Sequence, residues 1–172
     1  MSSGQTIFVF QGGNDTSGWQ IFNDGVMGGL SSSSFQILLS GCAVFSGIVS
    51  LDNSGGFASV RSPPIKQDFS SRDSFVLRTR GDGHRFKFSV RTKPGFDTPI
   101  YQSVFETKPG EWQECWLPFT KFVPAFRGRV LTGVPALNPA RVASVGFLIA
   151  DKQAGPFRLE IDWVKASGSA SD

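Results

Sequence analysis

The chain has 172 residues, enough for one full domain with little room for a second. Hydrophobic residues make up 40% and charged residues 18%, which excludes intrinsic disorder, and no apolar run approaches the ~18 residues of a membrane-spanning helix. A net charge of +3, from 17 basic and 14 acidic residues, is too small to imply nucleic acid by itself.

Seventeen Phe and four Trp against one Tyr, with 20 Gly and 10 Pro, suit many short strands joined by tight turns. Along the chain, a first strand is expected at residues 6–10. Then comes Trp19-Gln-Ile-Phe-Asn23-Asp24-Gly25-Val26-Met27-Gly28-Gly29-Leu30-Ser31. Its glycines call for positive φ or close backbone approach, and they enclose an apolar Val-Met pair. Strands at 35–39 and 43–51 lead into Leu51-Asp52-Asn53-Ser54-Gly55-Gly56, a turn that feeds a strand at 57–61. The next two strands, 75–80 and 84–91, show period-two alternation: Phe75, Leu77 and Thr79, then His84, Phe86, Phe88 and Val90, opposed by Arg78, Arg80, Arg85, Lys87 and Arg91.

Between these two strands lies Arg80-Gly81-Asp82-Gly83-His84, and Asp-Gly is a type I′ hairpin signal. A two-residue loop there would pair Thr79 with Phe86 and Leu77 with Phe88. The same register stacks Arg80 opposite Arg85 and Arg78 opposite Lys87, a like-charge arrangement that a sheet has no structural reason to choose. Two readings stand at this point: long side chains splayed into water, or a face that binds something acidic.

Strands at 101–106 and 111–117 follow, then a Phe- and Arg-rich loop, Phe119-Thr-Lys-Phe122-Val-Pro124-Ala-Phe126-Arg127-Gly128-Arg129. The last strands are expected at 142–150 and 157–163, where Phe157, Leu159, Ile161 and Trp163 alternate with Arg158, Glu160 and Asp162. No helix of ten or more residues is expected. About ten strands in one chain give an all-β fold, a jelly-roll β-sandwich over residues 1–165 with a tail of disordered composition at 166–172.

Charge is unevenly spread. Nine basic residues and three acidic ones lie between Arg61 and Lys93, a local balance of +6 that leaves the rest of the chain net acidic. Catalytic patterns are missing. The one histidine, His84, heads a strand as a structural residue, and no Gly-x-Ser-x-Gly, phosphate loop or dinucleotide fingerprint occurs. Cys42 and Cys115 form neither a disulfide framework nor a zinc pattern. Loop oxygens around Asp15, Asp24 or Asp52 offer a structural calcium site as the lesser reading, and no metal or cofactor is expected. The opening MSSGQTIFVFQGG lacks the marks of a secretory or transit peptide, so a cytoplasmic setting is expected.

Several blocks together resemble the complex I intermediate-associated protein family, whose domain is a galactose-binding-like jelly roll. They are Trp19 with Asn23-Asp24-Gly25-Val26-Met27-Gly28-Gly29, Leu51-Asp52-Asn53-Ser54-Gly55-Gly56-Phe57-Ala58-Ser59-Val60-Arg61, Arg80-Gly81-Asp82-Gly83, Phe126-Arg127-Gly128-Arg129, and Gly155-Pro156-Phe157-Arg158-Leu159-Glu160-Ile161. The resemblance covers roughly Phe10 to Val164 in order. It implies an assembly factor of chaperone type for a membrane-bound electron-transfer complex, such as complex I, an NAD(P)H dehydrogenase or a photosystem. It implies no catalytic residues. Plant plastid relatives add a dinucleotide-binding-like domain, whereas this chain resembles a stand-alone member of bacterial, cyanobacterial type.

The expected activity is therefore transient binding to protein subunits of a membrane complex, with peripheral membrane association through that client and no DNA bound. The surface expected to do this is Arg78, Arg80, Arg85, Lys87 and Arg91, joined by Met27, Phe126, Arg127 and Arg129, because Met and Arg are favoured at contact surfaces. Asn23, Asp24, Gly25, Gly28, Gly29, Asn53, Gly55 and Gly56 are expected to shape loops. Carbohydrate binding is the rival reading. It needs exposed aromatics, and Trp112, Trp116 and Trp163 fall in alternating patterns expected to be buried, leaving Trp19 and Tyr101. RNA binding is a third reading, weakened by the mild net charge.

Overall fold

The computed structural model describes residues 4–10, 18–23, 29–52, 55–94, 98–126 and 129–168. Among the described residues, thirteen strands form: β1 (Gln5–Val9), β2 (Gln20–Asn23), β3 (Ser32–Ile37), β4 (Ala43–Val49), β5 (Ala58–Arg61), β6 (Ser74–Arg80), β7 (Arg85–Arg91), β8 (Ile100–Glu106), β9 (Trp112–Pro118), β10 (Val123–Phe126), β11 (Arg129–Val130), β12 (Ser144–Ile149) and β13 (Gly155–Ser167). They make two antiparallel sheets. The first has the order β3-β4-β13-β6-β9, with β1 also on β13, and the second the order β11-β10-β8-β7-β12-β5-β2. The all-β jelly-roll sandwich expected from the sequence is the fold observed.

Period-two alternation buries one side of each sheet. Phe45, Phe75, Leu77, Leu159 and Ile161 from the first sheet, and Phe86, Phe88, Phe147 and Ile149 from the second, are all fully enclosed. Phenylalanine closes the gap between layers: the Phe75 ring lies 5.3 Å from Phe88 across the sandwich, and Phe86 lies 6.3 Å from Phe157. Phe69, Phe119 and Phe122, from connecting segments, pack around Phe75 with centroids 4.8–5.7 Å away. These loop phenylalanines plug one end of the core, an arrangement that favours edge-on rings over stacked ones.

The hairpin expected at Asp82-Gly83 does not form. β6 pairs with β13 and β9 in the first sheet, while β7 pairs with β8 and β12 in the second. Residues 81–84 instead carry the chain from one sheet to the other. Asp82 holds that crossover: its Oδ1 accepts from the His84 backbone N–H at 3.1 Å and meets His84 Nδ1 at 2.7 Å, while its Oδ2 accepts from Arg158 N at 2.8 Å. Thr107 holds the other side, accepting from Gly83 N at 3.0 Å and donating to His84 O at 2.7 Å. A Cβ at Gly81 would press into the Thr107 side chain, 2.5 Å from its Cγ2, so glycine is required for close approach.

Two further expectations change for reasons of pairing. In β13, residue Asp162 is inserted between the pairs Ile161↔Thr79 and Trp163↔Arg78, a β-bulge that flips the alternation. Val164 and Ala166 therefore point inward and Trp163 outward. In β9, the core side is Gln113, Cys115 and Leu117, opposite Thr79, Leu77 and Phe75. Trp112 and Trp116 take the solvent side, and Trp116 is 54% exposed. β13 also continues to Ser167, two residues past the boundary expected at 165.

Candidate functional site

The crossover divides the basic residues expected to act together. Arg78 and Arg80 lie on the outer face of the first sheet, whereas Arg85, Lys87 and Arg91 lie on the outer face of the second. The like-charge stack is absent because β6 and β7 lie in different sheets.

On the first sheet, the charges are largely matched. Arg80 grips Glu160 on β13 with two hydrogen bonds, Nε at 2.7 Å and Nη2 at 3.0 Å, and Arg158 reaches the same carboxylate at 3.7 Å. Those bonds from Arg80 hold the Glu160 carboxyl below the usual range, against the opposing effect of burial. Arg78 pairs with Asp162 at 3.2 Å and stands 4.0 Å from Glu114. Both guanidinium groups also lie over the Trp112 ring, 5.2 and 4.9 Å from its centre. Lys165 covers Trp163 at 4.2 Å. Between Trp116 and Trp163, a groove of about 260 Å³ runs over Val76, with Glu114 and Lys165 on its rim. This tryptophan–arginine lattice was missed in the sequence. Its signal is the acidic alternation Glu160, Asp162 on β13, which becomes meaningful only once β13 is known to lie beside β6.

On the second sheet, Arg85 stands opposite Glu106, and Lys87 lies 3.5 Å from Asp151. Arg91 is half-buried and faces Arg61; burial first and that like charge second push its pKa down to about 10. Arg61 itself lies over the Phe22 ring at 5.1 Å.

Of the remaining candidates, Phe126 is half-buried in β10 and pairs with exposed Arg129 of β11. Met27 and Arg127 lie outside the described residues, as do Asp24, Gly25, Gly28 and Asn53. Asn23 has a structural role. Its Oδ1 accepts from Ser33 Oγ at 2.8 Å and Ser59 N at 3.3 Å, tying β2 and β5 to β3 of the other sheet. Gly29 is half-buried just before β3. Gly55 donates to Asp52 O at 3.0 Å, and Gly56 adopts φ 143°, a conformation in which a side chain would be strained. Of the calcium-loop candidates, Asp15 and Asp24 are also outside the described residues. Among those described, no three His, Cys, Asp or Glu side chains gather as a cation site. Trp19 is packed among Phe8, Phe10 and Phe35, and Tyr101 is buried, so neither is an open platform.

Residues 8–161 match the family model for complex I intermediate-associated protein 30 (CIA30). The chain belongs to the CIA30 family. Among its curated relatives, the mitochondrial complex I intermediate-associated protein 30 of Drosophila melanogaster is 29% identical over 180 residues, covering 92% of this chain and 61% of that protein. Its Mus musculus counterpart is 28% identical over 184 residues, covering 95% and 56%. The chain thus spans somewhat over half the length of these relatives. In structure, this CIA30 domain is similar to the family 11 carbohydrate-binding module of Clostridium thermocellum determined with a mixed-linked tetrasaccharide. That likeness has a TM-score of 0.72 at 16% identity and covers 96% of both chains. At that identity it shows the fold alone. No helix among the described residues is long and apolar enough to cross a membrane.

Proposed function

We propose that this chain is a non-enzymatic, chaperone-like assembly factor that binds unassembled protein subunits of a membrane-bound electron-transfer complex. The observation that carries the reading is the family match across residues 8–161, with relatives named as complex I intermediate-associated proteins. The surface is consistent with transient protein contacts. Trp and Arg, residue types that dominate binding energy at interfaces, stand together on the outer face of the first sheet around β6, β9 and β13. Arg85, Lys87 and Arg91 offer a second, basic face to an acidic client, with Phe126 and Arg129 beyond the far edge of β8. Met27 and Arg127 stay in the proposed set as sequence candidates. The protein works at the membrane through its client, from the cytoplasmic side.

The test is capture of the tagged protein from its own cells after crosslinking at low salt, with partners identified by mass spectrometry. It is paired with a deletion strain whose complexes are resolved on native gels. Enrichment of subunits from one respiratory or photosynthetic complex, with that complex stalled in the deletion, is the expected result. Normal assembly of every such complex in the deletion strain overturns the reading.

A carbohydrate-binding reading gains one observation, the outward Trp116. It is weakened by two others: guanidinium groups cover Trp112, and an ammonium covers Trp163, so neither ring is free to stack on a sugar. A glycan titration followed by tryptophan fluorescence decides between them.

A further inference from the structure

We propose that β9 joins two copies of this chain, pairing antiparallel about Cys115 so that their first sheets merge into one. β9 ends the order of its sheet: β6 lies along one side, and no described strand pairs with the other. The ladder with β6 runs through all seven residues from Trp112 to Pro118 without a bulge. Edge strands are ordinarily blunted by lysine, by bulges or by being very short. β9 has none of these: its one charged residue is Glu114, and its one proline is its last residue.

Both sides of β9 are open at this edge. Leu77 and Thr79 on β6 are fully enclosed, whereas Cys115 and Gln113, which stand opposite them and face the same interior, are only half-buried. On the outer side, Trp116 is exposed, and Glu114 is exposed and meets Arg78 only at 4.0 Å. A strand laid along β9 covers the two sides at once, taking up the backbone groups of the edge and closing the half-open interior.

A second β9 is the strand that fits. Cys115 is the midpoint of Trp112–Pro118, so a two-fold axis through it overlaps the whole strand and keeps outer side chains with outer ones. In that register Cys115 meets Cys115 of the second copy, Gln113 meets Leu117, and Glu114 meets Trp116. The only charge on the strand thus faces an indole. Centring the pair on Glu114 instead would set carboxylate against carboxylate and shorten the overlap to residues 112–116. Charge also lets the copies approach: beside the seam, Arg78 and Arg80 are already matched by Asp162, Glu114 and Glu160, so the two outer faces carry little net charge to repel each other. A client strand would have to bring the same alternation over the same length, which a second copy supplies by symmetry. The merged sheet sets the two tryptophan–arginine lattices side by side as one continuous outer face.

The test is sedimentation equilibrium of the full chain over a concentration series, under reducing conditions. The expected result is a mass that rises from 18.6 kDa to twice that value. Two substitutions at exposed Trp116 read the register. Trp116→Glu sets two carboxylates against each other twice in each pair, whereas Trp116→Lys sets an ammonium against Glu114, so the dissociation constant of the Glu variant should exceed that of the Lys variant at least about tenfold. Both variants should unfold cooperatively near the wild-type midpoint, which separates lost pairing from lost folding. Diamide, which takes up the two electrons and two protons released as the Sγ–Sγ bond forms, should crosslink the dimer through Cys115, and Cys115→Ser should abolish the crosslink. Equal weakening by the two Trp116 variants, or a dimer that gives no Cys115 crosslink, overturns the proposed pairing. A mass that stays at 18.6 kDa up to about 1 mM overturns it as well and leaves the β9 edge to a strand from a client.

Discussion

Replacing Gly81 by alanine tests the sheet-to-sheet crossover directly. The new methyl would press into Thr107, a residue only 7% exposed, whose hydroxyl joins Gly83 N and His84 O across the turn. Overpacking at such a site costs about 1–3 kcal/mol. Each displaced hydrogen bond adds about 1 kcal/mol. The expected loss is therefore roughly 2–4 kcal/mol, after allowing for partial relaxation. Urea unfolding followed by tryptophan fluorescence reads it as a lower midpoint with an unchanged slope. Thr107→Ala removes the same two bonds, so the double variant should lose less than the sum of the singles. In a hairpin, position 81 would be an ordinary extended residue, and alanine there would be neutral or gain a few tenths of a kcal/mol. A loss below about 0.5 kcal/mol, or strict additivity with Thr107→Ala, would refute the crossover argument.

Glu160→Gln should lower the melting temperature near neutral pH. A carboxyl with a depressed pKa adds stability that is complete above about 4.3 and is lost as pH falls through its folded value, so the gap to wild type should close on acidification; a gap that widens in acid counts against the Arg80 pairing. Phe75→Ala, which empties a fully enclosed site among four other rings, should cost about 3–5 kcal/mol. Trp116→Ala on the exposed face should cost less than about 1 kcal/mol, and comparable losses in chemical denaturation would contradict the assignment of β9's two faces. Arg91→Met keeps the apolar stem and removes a charge disfavoured by burial and by Arg61, so its melting temperature should rise; a fall would reveal a structural partner for the guanidinium.

The sequence by itself determined the layer architecture. Strict alternation such as Phe86, Phe88, Val90 against Arg85, Lys87, Ser89 can bury only one face, and about ten short strands, three of them alternating in this way, between Gly- and Pro-rich turns leave a sandwich as the economical solution. It also carried the family, because many short blocks kept their order. Three features were decided by tertiary structure alone. Period two states that two faces exist and not which one is buried: in β9, Trp112, Glu114, Trp116 and Gln113, Cys115, Leu117 alternate equally well, and the choice fell to the second set because β6 presents Phe75, Leu77 and Thr79 beside it. A single inserted residue, Asp162, reversed the phase in β13 and turned Trp163 outward, which no local pattern announces. An Asp-Gly turn bends the chain equally well within a sheet or between two sheets, and contacts far away in sequence, Thr107 and the Arg158 backbone, selected the crossover. The candidate surfaces follow from that choice, since local sequence sets the spacing of charges along a strand, while the partner strand decides which of them are neutralised and which remain open to a client.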